Sequence, residues 1–405
     1  MRSTLRGLAA RLPGSPRTEK PATTEASLSV LIDPLIDDPT TGSETVRLLI
    51  FADGPGATQI ISFILPLEKA RASGRLRIKM LCEANFEGMT PARADDLAEA
   101  TVAHFVPTHV IVSRFGGGGA AGIVSACRRR GLPFVMHLDD NLFAVPEGLG
   151  ASKFKKYNDP ARLGRLRLLC QRAAVIYAST EELARQLTAM DFSPAVVAGR
   201  IYCSPPAAPV AYAPPPTPVI GYMGTAGHAA DLDMIVPAIS GILEQHPKAR
   251  FETFGSIKMP KALASEFGDR VQARPAAASY LQFISLFQEL NWTCGLAPLE
   301  DTPFNACKAN TKFIEYTVAG MPCIASDTIV YRQSLAQGRG LLARTPADWF
   351  DAMNLLISDR VNAAKIVEAA QSALEHNWSS EAHLVQLESI CNLPPDLHVR
   401  AETAG

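Results

Sequence analysis

No Cys-x-x-Cys pair and no His-Glu-x-x-His stretch occurs in the 405 residues. The eight cysteines are scattered, at Cys82, Cys127, Cys170, Cys203, Cys294, Cys307, Cys323 and Cys391. Such spacing offers neither a zinc site nor a disulfide frame, so no metal is expected and a reducing cytoplasm suits the chain. An excess of charge is lacking too, with 39 Lys and Arg against 40 Asp and Glu. Without a global field no nucleic-acid partner is expected, and any polyanion site must be local. No uninterrupted apolar run approaches the ~18–20 residues of a membrane span, and there is no internal repeat. What remains is an ordinary globular composition, 47% hydrophobic and 20% charged, in a chain longer than one comfortable core.

The first 45 residues open with "MRSTLRGLAARLPGSPRTEK", which is Arg-rich and places Leu5, Leu8 and Leu12 roughly on one helical face. It lacks the apolar core of a secretory signal. A membrane-surface helix and a disordered leader both fit, and the composition favours the leader. From residue 46 the pattern is regular. "VRLLIFAD", "RLRIKMLC", "HVIVSR", "PFVMHL" and "AAVIYAS" read as strands, with helical stretches such as "ARADDLAEATVAHF", "GIVSACRRRG" and "TEELARQLTAM" between or after them. The segment 203–218, "CSPPAAPVAYAPPPTP", holds seven prolines and can continue neither a helix nor a central strand. A second alternation follows, with strands "VIGYMG", "ARFETFG", "WTCGLAPL" and "PCIAS".

The expected organisation is a leader (1–45), a first Rossmann-like domain (46–202), a Pro-rich linker (203–218) and a second Rossmann-like domain (219–378). A closing helix (379–395) packs back on the first domain, and a tail (396–405) ends the chain. Apolar strands separated by helices imply parallel, doubly wound sheets. The fold class is therefore α/β, two Rossmann-like domains facing a central cleft where ligands collect.

One motif points elsewhere. Gly117-x-Gly119-x-x-Gly122 follows a strand and opens a helix, and the next strand ends in Asp139-Asp140. That is the local context of a dinucleotide fingerprint, and it would make the chain an NAD(P)-dependent oxidoreductase. Against it, the unit is internal to its domain, and Arg114 and Phe115 separate the strand from the glycines. Four consecutive glycines also describe a loop that must pass close to a ligand or a partner domain.

The second alternation carries more chemistry. Gly224 and Thr225 end a strand, where backbone N–H groups can approach phosphate oxygens, and His228 in the same loop could donate to a phosphate. Further on, "GLAPLEDTPFNACKANTKFIEYTVAGMPCIASD" ends a strand at Pro298-Leu299, passes a polar loop (300–306) and enters a helix. Lys308, Lys312 and Glu315 lie four and three residues apart, on one helical face. Two ammonium groups near a helix N-terminus favour a diphosphate, and a carboxylate further along can accept from ribose hydroxyls.

These stretches resemble the GT-B glycosyltransferases, the retaining, nucleotide-sugar-dependent family that builds bacterial glycans. The resemblance covers about 46–391 and is strongest over 219–345. "VIGYMGT", "LAPLEDTPFN" and "KFIEYTVAGMPCIASD" look like that family's donor-binding elements, which adds Asn305 to the donor side. "PFVMHLDDNLF" and "YASTEELARQL" are similar to a subgroup with an Asp-Asp-x-Leu-Phe loop, and Gly54 and Gly56 match the Gly-rich loop after the first strand. The resemblance implies that Glu315, the second acid of an E-x7-E motif, holds the donor ribose. It implies that Asp139, Asp140 or His137 meets the sugar or the acceptor. Retention without a required metal or cofactor is implied as well. The donor would be a nucleoside diphosphate sugar, and the acceptor a glycan, a lipid-linked sugar or another hydroxyl compound.

Two departures stand out. The first acid of E-x7-E falls on Cys307, for which Glu300 or Asp301 would have to compensate; a non-catalytic sugar-nucleotide-binding relative is therefore a further reading. The loop "GTAGHAADLD" supplies no Arg or Lys to the diphosphate, which shifts that task to Lys308 and Lys312. Finally, "KFKKYNDPARLGRLRLLCQR" (153–172) is basic, and either faces an anionic acceptor or the inner face of a membrane, or is merely solvated.

Overall fold

The run Leu48-Leu49-Ile50-Phe51 has no exposed residue. Since side chains of a strand alternate between faces, four consecutive buried residues mean that both faces are covered. This is β1 (Val46–Ala52), near the centre of a parallel sheet with β2 (Leu76–Cys82), β3 (His109–Ser113), β4 (Phe134–Leu138), β5 (Val175–Ala178) and β6 (Ala195–Ala198). The order across this sheet is β2-β1-β3-β4-β5-β6, with Leu48 opposite Ile78 on one side and His109 on the other. The computed structural model describes residues 46–200 and 209–397. The expected leader, residues 203–208 of the linker and most of the tail lie outside the described residues.

The second sheet repeats the plan with β7 (Val219–Gly224), β8 (Arg250–Gly255), β9 (Val271–Arg274), β10 (Cys294–Ala297), β11 (Cys323–Ser326) and β12 (Leu341–Ala343), in the order β12-β11-β10-β7-β8-β9. All pairings in both sheets are parallel. This is the α/β class expected from the alternation. In each sheet the direction of winding reverses beside the first strand, between β1 and β3 and between β7 and β10. A crevice opens beyond the carboxyl ends at such a reversal. The edge strands β6, β9 and β12 were not read from the pattern: they have 4, 4 and 3 residues and little apolar periodicity.

Helix starts follow local chemistry. Thr90, Asp159 and Thr345 cap the helices Pro91–Phe105, Pro160–Arg172 and Pro346–Ser358, each with proline in its first turn, where the missing N–H costs nothing. Under β7, a Cβ added at Gly221 would lie 1.8 Å from the Trp292 ring, so only glycine lets that indole into the core. Residues of the Pro-rich segment that are described run along the second lobe: the Val210 N–H donates to Val318 O (3.1 Å), and Arg360 donates to Pro215 O and Pro216 O.

Two elements tie the lobes together. The helical turn Pro303–Ala306 belongs to the second lobe, yet Phe304 and Cys307 are buried within the first lobe's core. The helix Ser380–Cys391 returns to the first lobe, where Leu384, Leu387 and Cys391 pack with Val46, Leu48 and Ile50. No helix among the described residues is long and apolar enough to cross a membrane.

Candidate active site

Charged residues that follow three of the first sheet's strands, β1, β3 and β4, meet at one guanidinium. Arg114, directly after β3, has a left-handed backbone (φ +58°) that turns its side chain back over the strand ends. Its Nε donates to Asp53 Oδ2 (2.9 Å), directly after β1, and Nη1 donates to Asp139 and to Asp140 (3.2 Å), directly after β4. Tyr157 closes the ring, its hydroxyl 3.4 Å from Arg114 Nη2 and donating to Asp53 (3.3 Å). Thr58 donates to the other oxygen of Asp139 (2.7 Å). Burial works against the charge on Arg114, but Asp53 and Asp140 outweigh it and raise its pKa.

The second lobe brings Lys308 to the same place, its Nζ 3.4 Å from Asp140 Oδ1. Burial would raise the Asp140 carboxyl, yet Lys308 and Arg114 hold it down at about 2. Two adjoining cavities share Thr58, Asp139, Asp140, His228 and Lys308. One, of about 210 Å³, is closed by Pro298, Leu299, Lys312 and Tyr331 of the second lobe. The other, of about 410 Å³, reaches over Asp53, Gly56, Arg114, Tyr157 and Thr225 towards Lys153.

Lys312 lies on the helix Thr311–Val318, with its ammonium over the Tyr222 ring (5.4 Å). The helix begins at Thr311, not near Lys308 as its spacing suggested; Lys308 stands on the preceding loop. The two ammonium groups converge on one cavity all the same. Glu315 is 6% exposed and lines neither cavity. Burial pushes its carboxyl up to about 7 and pulls the Lys312 ammonium down, while their mutual attraction opposes both shifts.

His228 Nδ1 is 2.8 Å from Asp231 Oδ2, and the other oxygen of Asp231 accepts from Glu300 N (2.9 Å). Lys312 first, and burial second, depress His228 to about 4. Neutral His228 beside an ionised Asp231 must carry its proton on Nδ1, since the carboxylate can only accept. Nε2 is then an acceptor, and donation to a phosphate requires protonation first.

Other expected residues sit apart from the cavities. His137 is on β4, fully buried between Phe63 and Tyr177, with Nδ1 2.9 Å from Ser113 Oγ and its pKa pushed down to about 3 by burial. A side chain on the face of a doubly covered strand belongs to the core; only residues past the strand end reach the cleft. Asn305 braces its own loop, with Nδ2 donating to Glu300 O (2.9 Å). Gly224 O accepts from Ile257 N, and Gly54 and Gly224 line neither cavity. Cys307 is 0% exposed, and its carbonyl accepts from Thr180 Oγ1. Glu300 and Asp301 are exposed and line neither cavity.

The glycine run is packed against protein. A Cβ at Gly122 would sit 2.3 Å from Asp95 O, and at Gly119 it would meet Phe86 and Ala94 O, while the Gly122 N–H donates to Asp95. These glycines serve contact with the helix Pro91–Phe105 and leave no room for a pyrophosphate. Much of the basic stretch 153–172 is also engaged within the protein. Arg162 and Lys156 pair with Glu83, Arg165 donates to Gly116 O, and Arg167 lies over the Phe143 and Phe192 rings.

Arg114, Asp53, Thr58 and Tyr157 were not picked out from the sequence as site residues. For Asp53 and Arg114 a signal existed, since each follows an apolar strand immediately, at the end where such sheets bind ligands. Among the described residues no group of three or more His, Cys, Asp or Glu is placed to hold a metal ion.

No family model matches the chain, and no curated protein matches it. Solved structures match most of its length. Sucrose-phosphate synthase from Thermosynechococcus elongatus aligns with a TM-score of 0.61 at 13% identity, over 85% of this chain and 98% of that one. Anabaena HepE, solved in complex with UDP and glucose, aligns with a TM-score of 0.59 at 12% identity, over 86% and 100%. A Listeria monocytogenes protein assigned as a UDP-N-acetylglucosamine 2-epimerase aligns with a TM-score of 0.53 at 13% identity, over 85% and 96%. At these identities the likeness is one of fold. The chain has the GT-B architecture of two facing Rossmann-like lobes.

Proposed function

We propose that the protein is a glycosyltransferase that moves a sugar from a nucleoside diphosphate donor to an acceptor hydroxyl. The observation that carries the proposal is the meeting, in one crevice, of Lys308 and Lys312 from one lobe with Asp139, Asp140 and Arg114 from the other. Two ammonium groups beside a strand-end loop suit a diphosphate, whose charge grows as it leaves. The acceptor oxygen bonds to the anomeric carbon as the bond from that carbon to the diphosphate oxygen breaks. The acceptor proton passes to the departing diphosphate and then to water. Asp140, held at about 2, remains ionised at neutral pH and is a poor base. Its part is to orient the acceptor hydroxyl and to offset positive charge on the sugar ring.

The GT-B likeness, with HepE solved in complex with UDP and glucose, supports a nucleotide-sugar donor, and retention at the anomeric carbon follows the family resemblance. The epimerase-like neighbour and Cys307 favour a second reading, binding of a sugar nucleotide without transfer. The burial of Cys307 against the first lobe weakens it, because a residue there has no access to a sugar. A thermal-shift screen of nucleotide sugars tests both, since a ligand of the native state raises its melting temperature. A binding donor should lose about tenfold or more in affinity on Lys308→Ala or Lys312→Met, in line with ~1.5–3 kcal/mol for a hydrogen bond to a charged group. Binding without turnover under any acceptor selects the second reading. If no nucleotide sugar binds, both fall.

A further inference from the structure

We infer that the acceptor received by this cleft is a non-anionic hydroxyl compound, a sugar or glycoside with no phosphate or carboxylate near the reacting hydroxyl. The inference rests on the glycosyl-transfer reading and narrows its acceptor. It is carried by the composition of the first-lobe wall. There, three carboxylates surround one guanidinium, so two negative charges are in excess. Four of the five guanidinium N–H groups are also engaged: Nε is on Asp53, Nη1 on Asp139 and Asp140, and Nη2 on Tyr157. Arg114 is only 13% exposed, so it cannot swing out to greet an anion without abandoning four partners.

The remaining polar groups of this wall reinforce the pattern. Gln59 donates to Asp53, and Thr58 donates to Asp139. Lys308 and Lys312 belong to the opposite lobe, and in the glycosyl-transfer reading the donor diphosphate neutralises them. Lys153 stands exposed at the rim, where water and salt screen it. His228 faces the same space and, held at about 4 chiefly by Lys312, is uncharged at neutral pH before a diphosphate binds. A phosphate on the acceptor would therefore lie among carboxylates, with only the screened Lys153 at the rim to meet it. A hydroxyl, by contrast, finds carboxylate oxygens ready to accept. Leu142, Val145 and Leu149 line the outer part of the cavity and suit the C–H faces of a sugar ring.

The test begins with UDP, GDP and ADP as probes for a nucleoside diphosphate that binds. Transfer from the matching sugar nucleotides is then measured to hexoses, to their methyl glycosides and to the corresponding 6-phosphates. The expected result is a kcat/KM at least tenfold higher for the neutral acceptor than for its phosphate. An equal or better phosphate acceptor overturns this inference and leaves glycosyl transfer standing. Where none of these acceptors turns over, binding to the diphosphate-saturated protein decides, and 6-phosphates binding no more weakly than free sugars overturn it. If no nucleoside diphosphate binds, the reading of the site and this inference fall together. Asp53→Asn should shift the phosphate-to-neutral ratio at least threefold towards phosphate. Misfolding alone does not move a ratio, so an unmoved one refutes the role given to this wall.

Discussion

Replacing Arg114 by methionine keeps an unbranched stem, shorter by the end of the guanidinium, and removes the charge. Both residues carry a Cβ, so the left-handed backbone at this position (φ +58°) costs the same in each. What changes is the state of Asp53, Asp139 and Asp140, whose side chains are 15%, 12% and 23% exposed. At an effective dielectric of about 20, two unit charges ~4 Å apart interact by about 4 kcal/mol. Removing one partner of a buried ion pair typically costs about 3–5 kcal/mol. The lower end applies here, because Asp140 keeps Lys308 and one carboxyl can relieve the repulsion by taking up a proton. A loss of about 3 kcal/mol at pH 7 is expected, measured by urea unfolding followed by circular dichroism.

The pH dependence supplies the sharper check. In the native protein Asp140 is held at about 2, below its ordinary 3.8. That stabilisation is complete above about pH 4 and is lost as pH falls through the folded value. In Arg114→Met the carboxylates repel one another, so their folded values rise above the unfolded ones. The variant must therefore recover stability as pH falls from 7 to 4.5, while the native protein does not, and the gap between them narrows. A deficit below about 1 kcal/mol at pH 7, or one that stays constant down to pH 4.5, would refute the view that this guanidinium neutralises the cluster.

Two further outcomes follow from the same geometry. Cys307→Glu, which completes the E-x7-E pattern, should destabilise the protein by about 3 kcal/mol or more rather than raise activity, because the position is 0% exposed in the first lobe's core; a stable, more active variant would show that the position faces the ligand. His228 is depressed chiefly by Lys312, so a diphosphate that neutralises Lys312 should raise the histidine pKa. Binding at pH 6 should then take up protons, and affinity should rise as pH falls from 6.5 towards 4, read by calorimetry in buffers of different ionisation enthalpy. A buffer-independent heat, or an unchanged pH profile in His228→Asn, removes histidine from the linkage.

Much of the architecture was legible along the chain. Buried runs such as "LLIF" and "FVMHL" report strands covered on both faces, and their alternation with amphipathic helices implies parallel winding. Three of the four edge strands escaped because a strand of three or four residues has little periodicity to display, whereas β2, with 7 residues, was legible. That Lys308 and Lys312 share one side was legible from spacing, and they converge on one cavity, although the helix holding one of them starts later than spacing suggested. His137 misled for a physical reason. Alternation along a strand tells which side a residue faces, but not whether that side is cleft or core, and β4 keeps both sides in the core.

The fold class is written locally along the chain, because strand burial and helix periodicity repeat every two or four residues. An apolar core also keeps charge out of the strands and leaves it to their ends and to the outer faces of helices. Which of the strand-end charges meet is settled by the packing of distant segments. Asp53, Arg114 and Asp139 are separated by 61 and 25 positions, and a parallel sheet brings their strand ends side by side. Likewise, burying Cys307 in the other lobe and setting Lys308 against Asp140 required the lobes to face each other, which no local pattern encodes.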